Sequence, residues 1–362
     1  MKFAEEFRNT ELAQTLVRRI ERLSRRPARL MEFCGGHTVS IFKYGIRQLL
    51  PSNVEMLSGP GCPVCVTPNT DVDKALALAR TPGVVTCGFG DVLKVPGSYS
   101  SLQGVRAEGA GVRVVYSTLD ALGIARANPE SSVVFLGIGF ETTAPTVAAS
   151  ILQAEREGLR NYYVLSMHKL CPPVIKALLD SGEVKLHGLI CPGHVSAIIG
   201  TRPYEFAPHD HGIACVVSGF EPVDILLAVE MLLEQIEQGR PRVESAYPRG
   251  VTPEGNERAL ELMYRVFEPA AGDWRGMGSV PASGLRIRER YARFDAERAF
   301  AIDPPPSREH PGCRCGDILR GVLSPPGCPL FARVCTPVSP VGPCMVSSEG
   351  TCAAYFQYGE QD

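Results

Sequence analysis

Cys62-Pro63-Val64-Cys65 is a CxxC in a Gly-Pro-rich turn that opens with Gly59-Pro60-Gly61. A CxxC of this kind is either half of a zinc site or a redox pair that cycles between dithiol and disulfide. Cys34 opens a different loop and is followed at once by Gly35, Gly36 and His37. A lone cysteine is usually a small buried hydrophobe. Here the two glycines would leave the sulfur reachable, beside a side chain able to carry a proton near neutral pH. A denser set, Cys313, Cys315, Cys328, Cys335, Cys344 and Cys352, lies near the C-terminus. Four thiolates gathered from one segment suit either Zn²⁺ or an iron–sulfur cluster. The separations are uneven: 12 residues lie between Cys315 and Cys328, then 6, then 8 or 16. With no compact CxxC knuckle among them, that spacing favours a cluster, with zinc still open. Six cysteines exceed four ligands, leaving one or two as redox partners.

The remaining candidates are single residues in polar loops. His194 follows Cys191-Pro192-Gly193, and with His37 it belongs to loops expected on one rim. Glu141, in Gly139-Phe140-Glu141-Thr142-Thr143, can act in chemistry or cap the following helix, where Thr142 and Thr143 compete with it. Cys87, Cys171 and Cys215 read as core, and Cys191 as core or edge. No Walker A sequence is present, and Gly137-Ile138-Gly139 lacks the third glycine of a dinucleotide fingerprint, so no nucleotide site is inferred.

Regular elements must hold these loops. Short runs rich in Val, Ile and Tyr predict strands at 29–33, 54–57, 84–87, 112–116, 133–138, 162–167, 188–191 and 213–217. Amphipathic stretches at 71–80, 143–157, 172–180 and 223–238 predict helices between them. Strands alternating with helices argue for βαβ units and parallel sheets. Nearly every predicted strand runs into a Gly- or Pro-rich loop, and in open α/β sheets ligands bind at the carboxyl ends of strands. Residues 301–350 contain ten Pro and six Gly, too many for regular structure, but a metal can order such a segment. The expected architecture is α/β: two similar parallel-sheet domains, 1–130 with the Cys34 and Cys62/Cys65 loops and 131–240, then a small irregular C-terminal iron–sulfur domain within 241–362.

The bulk properties exclude several classes. A net charge of −2 with no dense Lys/Arg tract argues against nucleic acid as a partner. No apolar run approaches the roughly 18–20 residues of a membrane span. The start Met1-Lys2-Phe3-Ala4-Glu5-Glu6-Phe7 lacks a secretory hydrophobic segment, so the expectation is a cytoplasmic protein. In that reducing setting thirteen cysteines point to metal or redox chemistry rather than a disulfide scaffold.

Three loops together resemble the HypD family: Cys-Gly-Gly-His-Thr at 34–38, Gly-Pro-Gly-Cys-Pro-Val-Cys at 59–65 and Gly-Phe-Glu-Thr-Thr at 139–143. Cys328-Pro-Leu-Phe, Cys335-Thr-Pro and the run from Gly342-Pro-Cys-Met to Ser348-Glu-Gly-Thr-Cys352 resemble that family's cluster domain. The likeness spans the whole chain without departure at a signature cysteine. It implies a maturation factor that helps build the Fe(CN)2CO centre of [NiFe]-hydrogenases with a HypC-type small chaperone and a HypE-type cyanide donor. It further implies iron held with help from Cys34, with Cys62 and Cys65 in ligation or redox steps. A [4Fe–4S] cluster would draw on four of Cys315, Cys328, Cys335, Cys344 and Cys352, with Cys313 the least favoured ligand. The three loops are expected to meet in one cleft. A cluster-dependent dithiol oxidoreductase and a zinc-stabilised binding module are the competing readings.

Overall fold

The computed structural model describes residues 8–359. The first seven residues, read above for the absence of a leader, lie outside the described residues. In chain order the strands are β1 (Ala28–Glu32), β2 (Val54–Ser58), β3 (Val84–Gly88), β4 (Val112–Val114), β5 (Ser132–Gly137) and β6 (Tyr162–Ser166), followed by β7 (Gly188–Pro192), β8 (Ala214–Ser218), β9 (Val243–Ser245), β10 (Phe267–Trp274) and β11 (Gly278–Ile287). All eight strands expected from the apolar runs are present.

Two parallel sheets carry the molecule. One has the order β2-β1-β7-β8-β9 and the other β4-β3-β5-β6. Their central strands are buried on both faces; every residue of β7 and β8 is inaccessible. Such strands must be continuous apolar runs rather than alternating ones, which is why they were short but legible. Crossover helices cover the faces, among them Asn69–Arg80, Ala144–Arg156, Cys171–Ser181 and Pro222–Gln238.

The sheets do not follow a linear division at residue 130. β1 pairs with β7 through Leu30 opposite Gly188, so the first sheet is assembled from both ends of the α/β region. The second sheet, β3 to β6, is inserted between β2 and β7. A parallel pair tolerates this because its connection must cross over in any case, and a whole sheet can occupy the crossover.

Between residue 240 and the Pro-rich stretch 301–350, where no strand was expected, lies a regular antiparallel hairpin, β10 with β11. Pro269, Gly272 and Pro281 hide it from a propensity reading, since such residues mark strand edges and bulges; the register shifts between Ala270 and Gly272. Its buried Trp274 donates from Nε1 to Ser283 Oγ at 2.7 Å and stacks on Phe140 of the Gly-Phe-Glu loop at 6.1 Å. Beyond the hairpin the chain is irregular apart from short 3-10 turns and the helices Ala296–Ala299, Cys315–Leu319 and Thr351–Tyr358. No helix among the described residues is long and apolar enough to cross a membrane.

That indole is one of the hairpin's anchors. Trp274→Ala should lower unfolding stability by about 3–5 kcal/mol in urea titrations. Val338→Ala, at a side chain 96% exposed, should change it by less than about 0.5 kcal/mol. Equal effects would mean that the hairpin does not anchor to the sheet loops.

Candidate functional site

β1, β2, β7 and β8 all end on the same edge of the first sheet, and the chemistry-bearing residues follow them directly. Cys34 is the N-cap residue of the helix Gly35–Lys43 and is partly buried. Gly35 and Gly36 form that helix's first turn rather than a loose loop. Their role is close approach: a Cβ at Gly35 would lie 2.5 Å from Glu349 Cβ, and one at Gly36 3.0 Å from the Phe220 ring. Gly61, just before Cys62, presses on the other side. A Cβ there would sit 2.3 Å from the Cys34 backbone nitrogen, and Gly35 N–H donates to Gly61 O at 3.1 Å. The Cys34 loop and the dithiol loop are therefore in direct backbone contact.

Cys62 caps the four-residue helix Pro63–Val66 and is disulfide-bonded to Cys65. Both sulfurs belong to buried residues. On its far side Cys65 Sγ lies 3.9 Å from Pro343 O, one residue from Cys344. That residue belongs to a small cavity whose walls include all six C-terminal cysteines: Cys313, Cys315, Cys328, Cys335, Cys344 and Cys352. Within it Cys315 Sγ and Cys344 Sγ are 2.7 Å apart. Burial pushes the Cys315 thiol up, but its bond to Cys344 and the nearby Arg275 charge outweigh that and hold it low. Cys344, bonded to both Cys315 and Cys352 and buried, is driven well up. Among the described residues no three His, Cys, Asp or Glu side chains stand ready to ligate one metal ion. The donor set is nonetheless all sulfur, which suits a thiolate-bound cluster and not an oxygen-ligated cation. Cys313 shares the cavity, so position alone does not set it apart from the other five.

A family model described as "HypD: Hydrogenase formation hypA family" matches residues 11–359. The chain belongs to the HypD family. It is similar to the hydrogenase maturation factor HypD of Azotobacter vinelandii, 49% identical over 100% of this chain and 98% of that protein. The corresponding factor of Cupriavidus necator is 48% identical over 99% and 97%, and that of Escherichia coli K12 is 43% identical over 100% and 99%.

Around the HypD-family loops the other expected residues are placed as follows. His37 is buried, and its Nε2 faces two carbonyls, Ser218 O at 3.2 Å and Gly219 O at 2.9 Å. Nε2 therefore carries the hydrogen. Burial lowers the ring's pKa to about 4, so the ring is neutral, and Nδ1 has no hydrogen-bond partner among the described residues. Phe220 stacks on His37 at 4.8 Å and on the exposed His194 at 3.9 Å, tying the loops after β1, β7 and β8 together. Glu141 does not cap the helix that follows it. Its Oε1 accepts from Cys171 N at 2.9 Å and so caps the helix Cys171–Ser181, while Oε2 is buried with no hydrogen-bond partner among the described residues. Cys171 is buried as expected. Cys191, for which an edge position was open, is also fully buried, with its sulfur 3.1 Å from that of Cys215.

Two carboxylates escaped the sequence reading. Glu32, at the end of β1, is buried; it accepts from Cys34 N at 2.9 Å and from the Thr38 hydroxyl, while its carbonyl accepts from Gly59 N at 2.8 Å. Burial raises its pKa to about 7. Glu349 packs against Gly35 and, after burial itself, is the next cause that raises the Cys34 thiol to about 12. An acidic residue just before the cysteine was the available signal for Glu32. Glu349, 315 positions from Cys34 in sequence, had none.

Burial raises the carboxyl of Glu141 from 4.5 to about 7. The folded state therefore binds a proton that the unfolded state releases. Stability from this source is full below pH 4.5 and is lost as pH rises through about 7. Glu141→Gln removes the titration. Measured by urea unfolding across that window, the variant should gain on the parent protein by up to about 3 kcal/mol from the acid to the alkaline end. A difference independent of pH would mean that Glu141 ionises normally.

Proposed function

We propose that this chain is a hydrogenase maturation factor that holds an iron atom at Cys34 while cyanide and CO ligands are added. The observation that carries the reading is the contact of Gly61 with the Cys34 backbone, which brings the partly buried Cys34 loop against the Cys62–Cys65 disulfide loop at one strand edge. The kinship with proteins named hydrogenase maturation factors supports it.

The iron is cargo, and the chain's residues are arranged to receive it. The Cys34 thiol keeps its proton near neutral pH, because burial and Glu349 raise it to about 12. A thiophilic cation must displace that proton, so binding and deprotonation are coupled. The backbone N–H groups of Gly36 and His37 then face the sulfur and stabilise the thiolate. Glu32 fixes the peptide that carries it. Cys62 and Cys65 add ligands only after their S–S bond is broken, which takes two electrons, with protons supplied to whichever sulfurs do not stay anionic. Four of Cys315, Cys328, Cys335, Cys344 and Cys352 would hold a [4Fe–4S] cluster, which when bound supplies electrons singly. A HypC-type small chaperone and a HypE-type cyanide donor are the proposed partners, acting in the cytoplasm.

The disulfide beside a sulfur-lined cavity also favours a second reading, a cluster-dependent dithiol oxidoreductase. Cys34→Ser separates the two, since a hydroxyl keeps the size of the thiol but is a poor ligand for low-spin iron and a weak nucleophile. Infrared spectra of the chain purified with its small partner should show iron-bound CO and cyanide bands in the parent and none in Cys34→Ser or Cys34→Ala. Both variants should remain folded and keep the brown colour of the C-terminal cluster. Bands of undiminished intensity in either variant would remove Cys34 as the anchor, and a colourless parent that contains zinc would remove the cluster.

A further inference from the structure

Arg275 follows Trp274 at the tip of the β10–β11 hairpin and is 4% exposed. An arginine so deeply buried needs nearly all its donors satisfied. Its Nε donates to Cys65 O at 3.2 Å, and Nη2 to Thr67 O and to Asn69 Oδ1, each at 2.8 Å. Its backbone N–H donates to Val66 O at 2.8 Å. The guanidinium thus grips the C-terminal end of the helix that carries the disulfide. Nη1 pairs with Glu309 at 2.6 Å, a carboxylate that is 47% exposed and therefore partly screened by water. A buried cation with a solvent-weakened partner is thus bound to the backbone of the disulfide turn.

We propose that Arg275 is a positioning residue that sets the redox equilibrium of the Cys62–Cys65 pair, its buried positive charge favouring the reduced form. Reduction breaks the Sγ–Sγ bond and places two electrons on the sulfurs. A dithiol reductant supplies them as it closes to its own disulfide, and solvent supplies protons to whichever sulfurs do not remain anionic. Reduction that leaves one sulfur as a thiolate adds a negative charge that the disulfide lacks, and a cation shielded from water stabilises that form relative to the oxidised state. Glu309 works in the opposite sense. The inference rests on Cys62 and Cys65 being a redox pair, and it does not require iron-centre assembly.

The test is an equilibrium titration of the full chain in anaerobic mixtures of reduced and oxidised dithiothreitol. Acid quench, differential alkylation and mass spectrometry of the peptide holding Cys62 and Cys65 give the oxidised fraction. Arg275→Gln should shift the equilibrium constant about tenfold toward the disulfide, equivalent to about 30 mV for a two-electron couple. Glu309→Gln should shift it at least about threefold toward the dithiol, by the same electrostatic argument with the sign reversed. Arg275→Lys keeps the charge and should lie closer to the parent than Arg275→Gln does. If Arg275→Gln fails to fold, the Glu309→Gln shift decides the matter alone. A purely mechanical role for Arg275 would leave Glu309→Gln unshifted or move it with Arg275→Gln, and either result overturns the proposal. So would an Arg275→Lys shift as large as that of Arg275→Gln. Hydrogenase maturation is not read in this experiment, so its failure and the failure of iron assembly at Cys34 are separable.

Discussion

The peptide at Gly61 lies against the peptide at Cys34 more closely than any side chain would permit, and the rest of the site is arranged around that contact. A hydrogen bond from Gly35 to Gly61 fixes the distance, and a second, from Gly59 to the carbonyl of Glu32, fixes the angle. Both run between loops that leave neighbouring parallel strands, β1 and β2, whose register of Ala28 with Val54 places the strand ends side by side. The sheet therefore brings two cysteine loops together without a dedicated scaffold. Glycine is what lets them touch, and at this position its value is the missing Cβ rather than freedom of φ.

Around that contact burial works against ionisation. Burial raises Glu32 and Glu141 to about 7 and Cys34 to about 12, and lowers His37 to about 4. A site of this kind stores little charge until a cation enters, and each ionisable group then has a proton to give up or a lone pair to offer. Desolvation that would be a liability in a permanently charged site becomes a way of linking metal capture to proton release. Arg275 is the exception, a permanent charge, and it is bound to the backbone that follows the disulfide.

The sequence revealed the sheets and the sulfur because both leave local signals. Strands such as β7 and β8 are unbroken apolar runs between glycines, and Cys34 and Cys62/Cys65 announce themselves by their neighbours. What was not legible depends on contacts between distant segments. The insertion of β3 to β6 into the first sheet is a matter of pairing partners, which no window of residues encodes. The hairpin was masked by Pro269 and Pro281. Glu141 sits next to a helix start, yet it caps a different helix, the one beginning at Cys171, because β5 and β6 deliver the two segments to the same edge. Arg275 had no signal at all, since a lone arginine near a tryptophan is ordinary surface composition until its partners are known.

The interleaved topology also sets an order of events during synthesis. β3 to β6 are contiguous in sequence and can form their sheet as soon as Ser166 has emerged, through short-range crossovers. β1 cannot acquire its second neighbour until β7 has been made, and β8 and β9 come later still. Until then β1 and β2 present an open edge, with Cys34 and Cys62 at its end, beside a finished companion sheet. Non-local pairing of this kind is slow. The sulfur centre is thus completed among the last parts of the molecule, after the C-terminal cysteines near Cys65 have left the ribosome, so a nascent chain has reactive thiols well before it has the pocket that protects them.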